Sequence, residues 1–337
     1  MKRRVIISAA GLVAAVPSLW AQSAARPHAV KRVPKPSKLT FGLITPRNAE
    51  SMLKNWNPFF DRMSQALGVP IERKTYPAAA DLVKDFTSGQ LDLAWLGNAP
   101  ALEIVESGSG SVFAVEVVQG RTSYRSVLIT PRDSALRNLD DVYRLAPQLT
   151  FGDGDEKSTS GHVVPRYFAF IKRGVNDPDK LFKQVRRGNH ESNLIATAHK
   201  ELDVATNNTS ELENFRSSKP AEAALVRTIW ESPDIPTSPM VWRRDLPAPV
   251  KQQLAFFVER FGAKDDEEKG ILWNINKLTG WRPSTNRQLI PIADLEMFNA
   301  RQKIMNDMTV NAEERMQRVD DVTRRGSKLE LMLKASS

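Results

Sequence analysis

Asp153-Gly154-Asp155-Glu156-Lys157-Ser158-Thr159-Ser160-Gly161-His162 stands where one periodicity gives way to another. Leu149-Thr150-Phe151 enters this stretch as a short apolar, β-prone run, and Val163 to Arg173 leaves it with aromatic and aliphatic residues at helical spacing. The stretch therefore reads as a strand-to-helix junction carrying three hydroxyls and a glycine. The first N–H groups of a helix have no internal partners and sit at the positive end of its dipole, so such a junction suits a tetrahedral oxyanion. Pro165 falls where a missing N–H costs little, which predicts a helix start near Gly161. An ordinary Ser/Thr cap accounts for the same residues, so the rest of the chain has to decide.

Working outward, the same alternation recurs. Residues 39–44 read as a buried strand, and Asn57-Pro58 as the start of a helix whose Phe59, Phe60, Met63, Ala66 and Leu67 share one side before Gly68. Strands over 69–76 and 91–96 flank a short helix over 81–88, and apolar strands follow at 112–118 and 124–130. Beyond the junction come a strand at 182–185, Gly188-Asn189-His190 opening a helix to 199, and a strand at 202–206 that ends in Asn207-Asn208-Thr209-Ser210. The fold class is α/β with mostly parallel, mixed sheets, in which ligands bind beyond the carboxyl ends of the strands. Thr45 to Asn48, Leu96 to Asn98 and Asn207 to Ser210 are the rim candidates.

Residues 1–25 have a basic start, an apolar run and small residues near Ala21 to Ala25, the layout of a cleavable secretory signal. Residues 26–38 read as a mobile lead-in. Without the signal about 310 residues remain, enough for two lobes, and removal of Lys2, Arg3 and Arg4 takes the net charge from +9 to +6. That charge is interleaved with acids, which argues against a nucleic-acid surface and suits the attraction of small anions. The chain has no cysteine, which excludes thiol catalysis, thiolate metal ligation and disulfides.

Lobe one is expected over 39–131 and 241–291, lobe two over 132–240, and a charged helical extension over 292–337, which either packs on its own lobe or pairs with a second copy. Asp153, Asp155 and Glu156 lack the spacing and the downstream bidentate Glu of a calcium loop, so no metal site and no cofactor is expected. A hydrolase built on Ser160 and His190 has no nucleophile-elbow pattern behind it, and no catalytic residue is assigned. His190 either caps its helix or meets the ligand, and His162 either faces the ligand or lines the helix start. Trp95 and Trp242 read as core.

With these pieces in place the chain resembles the phosphate/phosphite/phosphonate-binding periplasmic proteins of ABC transporters. The resemblance is carried, in order, by Trp56-Asn57-Pro58, the run from Gly89 to Gly97, Ser158-Thr159-Ser160-Gly161, Asn189-His190-Glu191, the run from Asp203 to Thr209, and Pro239-Met240-Val241-Trp242-Arg243. It implies a two-lobed, type II periplasmic binding fold with two crossings between lobes, and a non-enzymatic protein that clamps a small oxyanion and delivers it to an ABC permease. Ser158, Thr159 and Ser160 are carried over as donors to the oxyanion, with Gly161 beside them and His190 in the same pocket.

The departures bear on the ligand. Members that bind aminoalkylphosphonates are expected to carry tyrosines where this chain has Ala79 and Leu96, and carboxylates where it has Ser210 and Ser238. Glu211 is placed to substitute only by a register shift. A buried ammonium without a counter-charge is disfavoured, so the reading expects 2-aminoethylphosphonate not to be preferred over phosphate, phosphite or a short alkylphosphonate. The resemblance further implies a periplasmic location, and the extension leaves a homodimer open. A sensor's binding subunit and a relative of thiamine-pyrimidine synthases are the alternatives, the second opposed by the leader.

Overall fold

The computed structural model describes residues 36–45, 48–175 and 177–335. The expected signal peptide, most of the lead-in and the middle of the Thr45–Asn48 loop lie outside them. In chain order the elements are Leu39–Ile44 (β1), Ala49–Leu67 (α1), Ile71–Tyr76 (β2), Ala79–Thr87 (α2), Leu93–Trp95 (β3), Asn98–Glu106 (α3) and Gly110–Val118 (β4). Then follow Ser123–Tyr124 (β5), Ser126–Pro131 (β6), Leu139–Leu145 (α4), Thr150–Asp153 (β7), Gln184–Arg187 (β8), His190–Ala198 (α5), Val204–Asn208 (β9), Thr209–Ser218 (α6) and Pro220–Ala224 (α7). The rest is Val226–Glu231 (β10), Ile235–Pro236 (β11), Pro239–Arg243 (β12), Ala248–Arg260 (α8), Asp266–Asn276 (α9), Leu278–Pro283 (β13), Ile290–Met305 (α10) and Ala312–Ala335 (α11).

Two sheets result. The first has the order β13-β4-β12-β3-β1-β2 and the second β10-β6-β9-β7-β8. Each is parallel on one side (β2, β1 and β3; β8, β7 and β9) and antiparallel on the other. The central strands β3 and β9 are buried throughout, as strands covered on both faces must be. Aromatic packing dominates the core of the first lobe, where Trp56 touches Phe41, Phe59, Phe60, Trp95 and Trp281.

The chain crosses between lobes twice, at β5 and at β11, and these two segments pair with each other, Tyr124 opposite Ile235 and Ser123 opposite Pro236. The boundaries differ from those expected: β6, assigned to lobe one, lies in the second sheet, and Pro239 and Met240, assigned to lobe two, lie in the first. Both runs are simply apolar, and only sheet partners distinguish the lobes. The first helix also differs. It starts at Ala49, capped by Asn48, and Pro58 is interior. An interior proline costs about 3 kcal/mol, whereas losing one buried Phe or Trp costs about 3–5 kcal/mol, and the helix buries Trp56, Phe59 and Phe60 together.

The C-terminal helices pack on their own chain. Leu329 and Leu333 of α11 enter the core beside Leu102 and Ala293, and Arg325 pairs with Glu106 of α3. Among the described residues no helix is long and apolar enough to cross a membrane.

Candidate functional site

The parallel strands of both sheets point their carboxyl ends at one cavity of about 110 Å3, of the order of the ~150 Å3 void that accepts benzene. Ile44, Thr45, Pro77, Ala79, Trp95 and Gly97 reach it from β1, β2 and β3, and Gly154, Gly188 and Asn208 from β7, β8 and β9. The lobes touch around it. Asn48 N–H donates to Glu191 Oε2 at 2.6 Å, Ala99 N–H to Thr159 Oγ1 at 2.8 Å, Lys157 pairs with Glu103, and Asn214 Nδ2 donates to Asn276 Oδ1. This is a closed arrangement.

The opening motif forms part of the wall. Ser158 caps a helix that starts at Thr159, two residues before Gly161, and its carbonyl accepts from both His162 N–H and Val163 N–H at 3.0 Å. The first turns are wound wide, a form enriched at functional sites. The cap depends on close approach of Gly154 and Gly161, where a Cβ on Gly154 would lie 2.6 Å from the Gly161 carbonyl carbon. Gly161 does not line the cavity, but its N–H donates to Ser158 Oγ at 3.0 Å.

Ser158 Oγ thus accepts from Gly161 N–H and Thr159 Oγ1 from Ala99 N–H. A hydroxyl that accepts from the protein has its proton to give, so both are set up as donors to an oxyanion. Ser160 Oγ, His190 Nε2 and Asn208 Nδ2 form a triangle with sides of 3.2, 3.1 and 3.2 Å. His190 is placed by Asn189, which caps α5 through a reciprocal pair of bonds with Ser192, and by Asn207 Nδ2, which donates to the His190 carbonyl at 2.9 Å.

Ser158, Thr159, Ser160, His190, Ser210 and Ser238 all line the cavity. Leu96 does not. Its side chain is wholly buried in the core with Leu82 and Leu91, because residues after β3 still alternate faces and only Trp95 and Gly97 turn towards the cleft. Trp95, read as core, is buried but also forms part of the wall, and a second aromatic there is Tyr124 of β5, which bonds Ser160 and whose phenol is pushed up by burial. It escaped the sequence reading because a residue in a crossing segment has no periodic signature. His162 turns away: Nδ1 lies 2.8 Å from Asp153 Oδ2, which also takes Arg187 Nη1 at 2.9 Å and Arg166 Nη1 at 3.3 Å. It braces the helix start.

Two acids in the cavity wall correct the argument from missing carboxylates. Glu211, on the first turn of α6, lines it beside Ser210. Glu116 of β4 lines it beside Ser238, accepting from Trp95 Nε1 at 3.1 Å and from Ser238 N–H at 3.3 Å. Burial pushes the Glu116 carboxyl up to about 7 against the pull of its bonds to Trp95 and Ser238, and the Glu211 carboxylate adds to the rise. The signal for Glu116 was available as one charge inside an otherwise apolar strand, 112–118.

Two α/β lobes joined by two crossings, with the cavity between them at the strand ends, define a solute-binding protein. A family model described as "ABC transporter, phosphonate, periplasmic substrate-binding protein" matches residues 41–289. The phosphonates-binding periplasmic protein of Escherichia coli (strain K12) is 35% identical over 288 residues, 84% of this chain and 83% of that one. A crystal structure of a binding protein component of an ABC phosphonate transporter from Pseudomonas aeruginosa superposes with a TM-score of 0.81 at 35% identity, covering 88% of this chain and 97% of that one. A second structure shares the fold at 21% identity: a Prochlorococcus marinus (MIT 9301) protein in complex with methylphosphonate, TM-score 0.69, with 77% and 97% covered. The chain belongs to the phosphonate-binding periplasmic substrate-binding proteins of ABC transporters.

Proposed function

We propose that this protein captures, without turnover, a small phosphonate whose far end carries a positive charge, with 2-aminoethylphosphonate as the simplest such ligand. The observation that carries the reading is the composition of one cavity. Hydroxyls at a helix start and two acids, Glu116 and Glu211, line the same wall. Closure replaces water around the phosphonate with preset donors, and the closed form is what an ABC permease receives. The leader over residues 1–25 would export the chain to the periplasm. The Prochlorococcus marinus protein in complex with methylphosphonate is more distant in sequence, at 21% identity, than the relatives at 35%.

Isothermal titration of refolded, ligand-free protein with 2-aminoethylphosphonate, methylphosphonate, phosphite and phosphate tests this. Tightest binding of the amine-bearing ligand is expected. Equal or tighter binding of phosphite or phosphate would sink the reading.

A further inference from the structure

Glu116 is an unusual residue for its place. It lies within β4, is 3% exposed, and turns its carboxylate to the cavity. Its donors, the Trp95 indole and the N–H and side chain of Ser238, are all neutral. A buried carboxylate held only by neutral donors keeps its charge at a cost, which a cation relieves and a proton abolishes. The titratable groups facing it are Glu211 on α6 and Tyr124 on β5. On the sheet side β3 presents Trp95, residue 238 before β12 presents its backbone N–H, and β13 sets Trp281 opposite Glu116 in register. None of these groups is a cation.

We infer that Glu116 selects the ligand's tail: a positively charged tail pairs with its carboxylate, and an uncharged tail enters only when Glu116 takes up a proton. The inference rests on the phosphonate reading above and adds to it the residue and the proton. Burial holds Glu116 near 7, so both of its forms are populated around neutral pH. Discrimination then comes from the difference between pairing and protonating one carboxylate, with the phosphonate end the same in both cases.

The test compares wild type with Glu116→Gln, titrating each with 2-aminoethylphosphonate and with ethylphosphonate at pH 8 in two buffers of different ionisation heat. For a given ligand, the change in headgroup protonation is common to both proteins and cancels. Wild type should take up a larger fraction of a proton than E116Q when ethylphosphonate binds. E116Q should lose about tenfold or more in affinity for the amine, as expected for one partner of a buried charged pair, and should gain affinity for ethylphosphonate, which no longer requires a proton.

Equal proton counts, or an amine affinity within twofold of wild type, overturn the inference while leaving the phosphonate reading intact. Failure of wild type to bind either phosphonate overturns both. Infrared difference spectra of wild type alone give a second measurement, independent of whether E116Q folds. The carbonyl stretch of a protonated carboxyl should grow when ethylphosphonate binds and not when the amine binds, and its absence in both overturns the inference.

Discussion

The hydroxyls and the acids of the cavity wall are placed in different ways. The hydroxyls come largely from one stretch, 153–163, whose Ser158 cap closes within a few residues, Ser158 Oγ with Gly161 N–H and Ser158 carbonyl with His162 and Val163 N–H, while Thr159 and Ser160 bond further off to Ala99 and His190. The acidic set is assembled from β3, β4, the approach to β12 and the start of α6, with Glu116 meeting Ser238 across 122 positions of sequence. A local set is written in a motif, whereas a convergent set depends on sheet order. Its acids can come from any strand that reaches the wall, as Glu116 of β4 does beside Ser238.

The largest effect should come from emptying the local set. Ser158→Ala combined with Ser160→Ala removes two donors worth roughly 1–3 kcal/mol each. Phosphonate affinity measured by titration should fall by about two to four decades, while the ligand-free protein still melts cooperatively. Retained affinity would move the anion elsewhere.

Leu96→Ala separates core from site. A wholly buried Leu should cost about 2–5 kcal/mol of stability when truncated, read as the denaturant midpoint, with ligand affinity kept once the protein is folded. A change in ligand preference at full stability would return Leu96 to the wall.

Glu116 also gives the convergent set a pH signature. Its carboxyl rises from 4.5 to about 7 on folding, so the folded state binds the extra proton. The stability linked to it is complete below 4.5 and is lost as pH rises through about 7. The gap between E116Q and wild type in urea unfolding should therefore widen between pH 5 and 8, by at most about 3 kcal/mol, since opening of the cleft rehydrates the carboxylate. A constant gap would mean that Glu116 is solvated.

Thr159→Val, the smallest of the four, tests the seam between the lobes. It keeps the shape but leaves Ala99 N–H without its acceptor across the cleft, at roughly 1–3 kcal/mol. Affinity should drop about tenfold or more, and small-angle scattering of the ligand-bound protein should show a larger radius. An unchanged radius with weakened binding would make Thr159 a ligand donor only.

The alternation of strand and helix, the strand-to-helix junctions and the hydroxyl cap were all legible in the sequence, because each rests on periodicity or on hydrogen bonds between near neighbours. The position of His190 at a helix start was legible for the same reason, since Asn189 caps its helix from the adjacent position. The tertiary structure alone decided which lobe owns β6, that Leu96 faces the core, that His162 turns to Asp153, and that Tyr124, Glu116 and Glu211 meet at one cavity. Those outcomes depend on which strands lie side by side, and β4 acquires its neighbours β12 and β13 only after the chain has made the second lobe and returned. A one-dimensional pattern records what a residue does with its near neighbours. It does not record which distant wall a buried carboxylate will face.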